Sequence, residues 1–356
     1  MRNSFIRTAL GGVAAAAMAF SATLATAQDL KPYNFKVVGT WGNLSNWQKH
    51  ESNLWNNAIP QASGDRLTAQ ASPLTELGLK GFEVMRLLKL GVFDVAHGVV
   101  GYVAKESAVI EGVDLSTLVQ DWDTMREVSE AYKPTLDKAF QETYGAKLMA
   151  IYPFPSQMLW CAKPINGIED LRGKKIRVYS TTLGDFVEGA GGVSVTIPFA
   201  EVVPALQKGV ADCGITGTMP AYRAKWYEVV THAYLLRVGF TATFGAISLK
   251  TWNRLNADTQ ALLTAEFKAF EDRAWAETIR EDEMGIICNT NTGNCTEGDP
   301  GAMKRVDPSD ADLKARETIL NDFVLKRWAE RCGADCVKQW NATVGKVVGI
   351  EAPIPQ

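Results

Sequence analysis

IEDLRGKKIRVYSTTLGDFVEGAGGVSVTIPFAEVVPALQKGVADCGITG, Ile168 to Gly217, is the stretch that decides the fold. A turn at Leu171-Arg172-Gly173 leads into a short strand, Lys175 to Ser180, in which Arg177 interrupts an otherwise strand-like run. A helix-compatible segment and the glycines at 189, 191 and 192 precede an apolar strand, Val193 to Ile197. Glu201 to Lys208 reads as a second helix closed by Gly209, and Ala211 to Thr216 as a third strand. Strand, helix, strand, helix, strand is a βαβαβ unit, whose handedness implies a parallel sheet.

The same order occurs earlier. Phe35 to Trp41 reads as a strand, Ser45 to Ile59 as a helix, Leu67 to Ala71 as a strand, Glu76 to Leu90 as a helix and Phe93 to His97 as a strand. One piece repeats in letters: EVMRLLKLGVFD from Glu83 and EVVPALQKGVAD from Glu201 share Glu, Val, Leu, Gly, Val and Asp at one offset. Two α/β lobes follow. The carboxyl ends of parallel strands share one edge of a sheet, and ligands bind in the crevice outside that edge. In the first lobe the edge carries Thr40-Trp41-Gly42-Asn43, Ser72-Pro73 and His97-Gly98-Val99. In the second it carries Tyr179 to Thr182, Pro198-Phe199 and Thr216-Gly217-Thr218. Two such edges facing each other make a cleft.

The run DLRGKKIRV followed by PFAEVVPALQKGVAD resembles the solute-binding proteins of tripartite ATP-independent periplasmic (TRAP) transporters. The resemblance implies a two-lobed periplasmic binding protein that closes on an organic acid, with a long connecting helix behind the hinge. It implies that Arg177 pairs with the ligand carboxylate. Many members carry a second arginine twenty residues earlier, where this chain has Gln157, and their usual asparagine appears here as Thr216.

The chain order fits that architecture. Met1 to Ala27 reads as a signal peptide: Arg2 and Arg7, an apolar run from Ala9 to Phe20, and Ala25-Thr26-Ala27 as the cleavage site. An exported, periplasmic protein is expected. Residues 28–154 with 242–282 are assigned to lobe I and 155–241 with 283–356 to lobe II. Tyr152-Pro153-Phe154-Pro155 is a stiff crossover, Tyr234 to Leu249 a return, and Asp258 to Met284 a long helix capped by Asn256 or Asp258. The formal charge of −3, without basic clusters, argues against nucleic acid as a partner. Six cysteines suit an oxidising compartment. Cys288 with Cys295 and Cys332 with Cys336 bracket short polar loops and read as disulfides, whereas zinc lacks a C-x-x-C spacing or a nearby histidine. Cys161 and Cys213 sit at strand ends, as a third bridge or as buried thiols.

The candidate ligand-binding residues are Arg177, Gln157, Trp41, His97, Tyr179, Phe154, Phe199, Thr216 and Ser180. There is no G-x-S-x-G elbow, H-E-x-x-H, phosphate loop or Rossmann fingerprint, so neither catalysis nor a cofactor is expected. The function expected is capture of a small organic acid for delivery to the TRAP membrane subunits. Gln157 in place of a second arginine favours a monocarboxylate, and Trp41, Tyr152, Phe154, Tyr179, Phe199 and Phe244 suggest a flat or aromatic body such as a hydroxybenzoate. Aliphatic keto or hydroxy acids, sugar acids, a sensor input and a secreted α/β enzyme are the alternatives.

Overall fold

A computed structural model describes residues 29–356; the signal-peptide reading falls on residues 1–27, outside them. Eleven strands form two sheets. The first sheet takes β1 (Tyr33–Gly39), β2 (Leu67–Pro73), β3 (Val95–Val99), β4 (Ala146–Phe154) and β10 (Thr241–Ser248), in the order β2-β1-β3-β10-β4. The second takes β5 (Gln157–Cys161), β6 (Lys175–Val178), β7 (Val193–Thr196), β8 (Cys213–Gly217), β9 (His232–Tyr234) and β11 (Lys304–Val306), in the order β11-β9-β5-β8-β6-β7.

The repeated βαβαβ units are the parallel cores of both sheets. β1 runs parallel to β2 and β3, and β6 runs parallel to β7 and β8. Each core is extended by one antiparallel strand that has crossed over from the other lobe. β5 follows β4 through Pro155-Ser156 and pairs with β8, while β10 follows β9 and pairs with β3. The sheets are therefore mixed, and the two lobes have matching strand order once the exchanged strands are equated. Each crossover also ties its lobe to a strand of the other.

Helix boundaries depart from expectation in one place for a clear reason. Glu76 to Leu90 is helical only over Val84–Lys89, because Gly78 and Gly81 take left-handed φ of 68° and 103° and break the preceding turns. The 45–59 helix is present as the consecutive segments Asn46–Glu51, Leu54–Ala58 and Ile59–Ser63, with π-type turns in the first two. The connecting helix runs from Ala257 to Thr290, and the Asn256 side chain caps it by accepting from Thr259 N. Its 34 residues reach about 50 Å at 1.5 Å per residue. In the first lobe it meets β4, where Trp275 Nε1 donates to Ile151 O at 3.0 Å. In the second, Gly285 lies so close to Thr218 and Met219 that an added Cβ would sit 2.3 Å from Met219 N.

Residues 283–356 are expected in the second lobe, and the helices after residue 307 also contact the segment after β3. Trp328 Nε1 donates to Ala108 O and Trp340 Nε1 to Gly112 O, both in the segment after β3. Arg331 pairs with Glu111 from that segment and with Asp185 from the Thr181–Gly189 helix of the second lobe. All six cysteines are paired: Cys161–Cys213, Cys288–Cys295 and Cys332–Cys336. The first joins directly opposed residues of β5 and β8, so it pins a crossover strand to the parallel core it invades.

Candidate functional site

The carboxyl ends of the parallel strands converge between the lobes on a narrow pocket. β1 delivers Trp41, the turn after β3 delivers Tyr102, and β4 with the first crossover delivers Phe154 and Gln157. From the second lobe, β6 supplies Arg177 and Tyr179, the turn after β7 supplies Phe199, and the end of β8 supplies Thr216. Thr241, at the start of β10, completes the polar part of the lining.

Among the described residues Arg177 is the one charged residue lining this cavity, and its side chain is buried. Its Nε donates to Ile197 O at 2.9 Å, Nη1 to Ile215 O at 2.8 Å and Nη2 to the Tyr102 hydroxyl at 3.1 Å. The guanidinium lies over the rings of Tyr179 and Phe199, at 5.3 and 5.9 Å from their centroids. Every one of these partners is uncharged. Burial lowers the Arg177 pKa by penalising the charged form. A guanidinium has five N–H donors in a planar fork; three are used, leaving one on each terminal nitrogen. Those two match the two oxygens of a carboxylate.

The remaining walls are aromatic and sparsely polar. Trp41 meets Tyr102, Phe199 and Phe154 at centroid distances of 5.4, 5.5 and 6.3 Å. Its indole N–H is buried without a partner among the described residues. Gln157 Nε2 donates to Pro155 O at 2.9 Å, which orients the amide and leaves its oxygen available. Tyr179 and Thr241 are hydrogen-bonded to each other through their hydroxyls. Among the described residues no group of three or more His, Cys, Asp or Glu side chains is arranged to hold a metal ion.

Seven of the nine residues expected at the site line the cavity: Arg177, Gln157, Trp41, Tyr179, Phe154, Phe199 and Thr216. His97 does not. It sits inside the first lobe, where Nε2 accepts from Trp55 Nε1 at 2.9 Å and Nδ1 meets the Tyr152 hydroxyl at 3.0 Å. Tyr152 in turn donates to Glu51 at 2.8 Å, so Nδ1 carries the proton and both ring nitrogens are occupied. Burial pushes the His97 pKa down to about 3. Ser180 also falls outside, because its hydroxyl caps the Thr181–Gly189 helix by accepting from Leu183 N. Tyr152 and Phe244 belong to the core rather than the cleft. Tyr102 and Thr241 were not anticipated. Tyr102 lies on Val100–Val103, one turn beyond the end of β3, so extending the strand-end rule by a turn would have found it.

These features define a two-lobed protein with a narrow, aromatic-walled pocket carrying a buried arginine between its lobes. The model of bacterial extracellular solute-binding protein family 7 (DctP) matches residues 37–292, and the chain belongs to that family. An uncharacterized protein of Haemophilus influenzae is 26% identical over 194 residues, covering 53% of this chain and 58% of its own length. The C4-dicarboxylate-binding periplasmic protein DctP of Rhodobacter capsulatus is 25% identical over 230 residues, 64% of this chain and 66% of that protein. The crystal structure of DctP7, a Bordetella pertussis extracytoplasmic solute receptor binding pyroglutamic acid, superposes with a TM-score of 0.79. That match is 18% identical and covers 89% of this chain and 99% of the other. At that identity the likeness is one of fold.

Proposed function

We propose that this protein is an exported periplasmic receptor that closes on a small monocarboxylate and delivers it to the membrane subunits of a TRAP-type transporter. The observation that carries the reading is the single buried, unneutralised Arg177 in an otherwise uncharged cavity. One carboxylate satisfies it. A second carboxylate would be desolvated with no cation to meet it, and a buried unpaired charge is strongly disfavoured. A narrow pocket walled by Trp41, Tyr102, Phe154, Tyr179 and Phe199 suits a compact, flat body. Pyroglutamic acid, the ligand of the Bordetella DctP7 receptor, is compact and has one carboxylate and a planar lactam. The aromatic walls also keep a hydroxybenzoate as a second reading, since ring contacts add ~0.5–1.5 kcal/mol beyond area burial.

Calorimetric titration of the mature protein with L-pyroglutamate, pyruvate, 4-hydroxybenzoate and succinate tests the proposal. Binding of at least one of the three monocarboxylates, with succinate weaker by tenfold or more, is expected. Succinate as the tightest ligand would overturn the single-charge argument.

A further inference from the structure

Tyr102 occupies an unusual position in the hydrogen-bond inventory of the cavity. It comes from the first lobe, yet both polar contacts of its hydroxyl are in the second: Arg177 Nη2 at 3.1 Å and Phe199 N at 3.0 Å. Both of those groups are donors. The phenol oxygen therefore accepts twice, and its acceptor capacity is filled. Its own hydrogen finds no acceptor among the described residues. Tyr102 lines the cavity, and it is held there by stacking on Phe82 at 4.2 Å and by edge contact with Trp41 at 5.4 Å.

We infer that Tyr102 is a ligand-binding residue that donates its hydroxyl hydrogen to the carboxylate held by Arg177. The inference rests on the monocarboxylate reading and deepens it. The acid then receives two N–H donors from the second lobe and one O–H donor from the first. Its carboxylate becomes the point at which the two lobes meet. Burial raises the pKa of the phenol despite the neighbouring guanidinium, so the group stays a donor over the physiological range. The arrangement also explains why closure reports on an anion. A neutral carboxamide offers these three donors one uncharged carbonyl oxygen, whereas a carboxylate offers two charged oxygens with lone pairs for all three. Arg177 belongs to the second lobe and holds the acid from that side alone. Tyr102 makes the anion's contribution depend on the lobes having come together.

The test is Tyr102→Phe in the whole mature protein, which keeps the ring contacts and removes the hydroxyl. L-pyroglutamate and its neutral carboxamide are titrated into wild type and variant, and the melting temperature of the ligand-free proteins is compared. A hydrogen bond to a charged group predicts about a ten- to hundredfold loss of pyroglutamate affinity, with a much smaller loss for the carboxamide. Equal losses for the two would reduce Tyr102 to an interlobe clasp and overturn the inference. Affinity within twofold of wild type in Tyr102→Phe, with binding abolished in Arg177→Ala, would overturn it too while leaving the receptor reading intact. Wild-type protein that binds none of pyroglutamate, pyruvate and 4-hydroxybenzoate would overturn both.

Discussion

Arg177 shows how one side chain can be chosen by geometry rather than by charge. Its guanidinium reaches Ile197 O, Ile215 O and Tyr102 and leaves two further N–H groups unused among the described residues. A lysine has three donors on a point charge and cannot meet those partners and a carboxylate together. Arg177→Lys and Arg177→Ala should both fold and both lose acid affinity by at least about thirtyfold, the low end of what losing one partner of a buried charge pair costs. Near-normal calorimetric affinity in Arg177→Lys would remove the bidentate fork. A second residue-scale prediction concerns the core pair that flanks the site, Glu51 and His97. Glu51 accepts from Thr40 N, Thr40 Oγ1 and Tyr152, and so fixes the residue before Trp41. Burial pushes its pKa up to about 7 and pushes that of His97 down to about 3. The raised Glu51 pKa means stability is present below the unfolded value near 4.5 and is lost as pH rises to about 7. The lowered His97 pKa means stability is present above 6.5 and is lost as pH falls towards 3. Between about 4.5 and 6.5 the two slopes oppose. His97→Gln can keep one donor and one acceptor without titrating. Relative to wild type it should gain about 2 kcal/mol as pH falls from 6.5 to 4.5, from ~1.4 kcal/mol per unit. Parallel urea-midpoint profiles for the two proteins across that range would contradict the assignment.

At the scale of elements, close contact along the connecting helix gives a prediction of opposite sign to helix propensity. Ala favours a helix over Gly by ~1 kcal/mol, but a Cβ at 285 would stand 2.3 Å from Met219 N and 2.5 Å from Thr218 C. Backbone cannot step aside as a side chain can, so Gly285→Ala should destabilise by about 1–3 kcal/mol, the range for overpacking. A neutral or raised urea midpoint would mean that the helix does not approach Thr218 so closely in solution. The same contacts explain what could be read in advance. The parallel cores were legible because Lys175 to Thr216 alternates strand and helix patterns with glycines at the junctions, and because Glu83–Asp94 repeats as Glu201–Asp212. Strand ends then located most of the cavity. His97 misled because its strand end looks like the others, while its side chain satisfies Trp55 and Tyr152 inside the lobe. Tyr102 was missed because the strand-end segment was read only as far as Val99, one turn short of the helix Val100–Val103 that carries it. The spread of the C-terminal helices over both lobes depends on Trp328 and Trp340 finding carbonyls at Ala108 and Gly112, partners more than 200 residues away that no local pattern encodes.

For the whole molecule, the receptor reading makes the charge of Arg177 the term that weighs open against closed lobes. Closing brings Tyr102 and the aromatic walls over the guanidinium and removes it from water, while its protein partners stay neutral. Desolvating a cation without an anion is unfavourable by several kcal/mol, so ligand-free closure works against this term. A bound carboxylate cancels it, and a ligand shifts an equilibrium by the difference in its affinity for the two states. Removing the charge should therefore do part of the ligand's work. Arg177→Met fills much of the same volume with an apolar chain, and replacing buried charges by apolar groups is often neutral or stabilising. Small-angle scattering should give ligand-free wild type a larger radius of gyration than the acid-bound form. Ligand-free Arg177→Met should lie nearer the compact value and should not contract further when acid is added. If Arg177→Met instead matches ligand-free wild type, the lone buried cation is not what holds the lobes apart. The closing force would then have to come from apolar contacts such as Trp41 on Phe199, with the carboxylate supplying affinity alone.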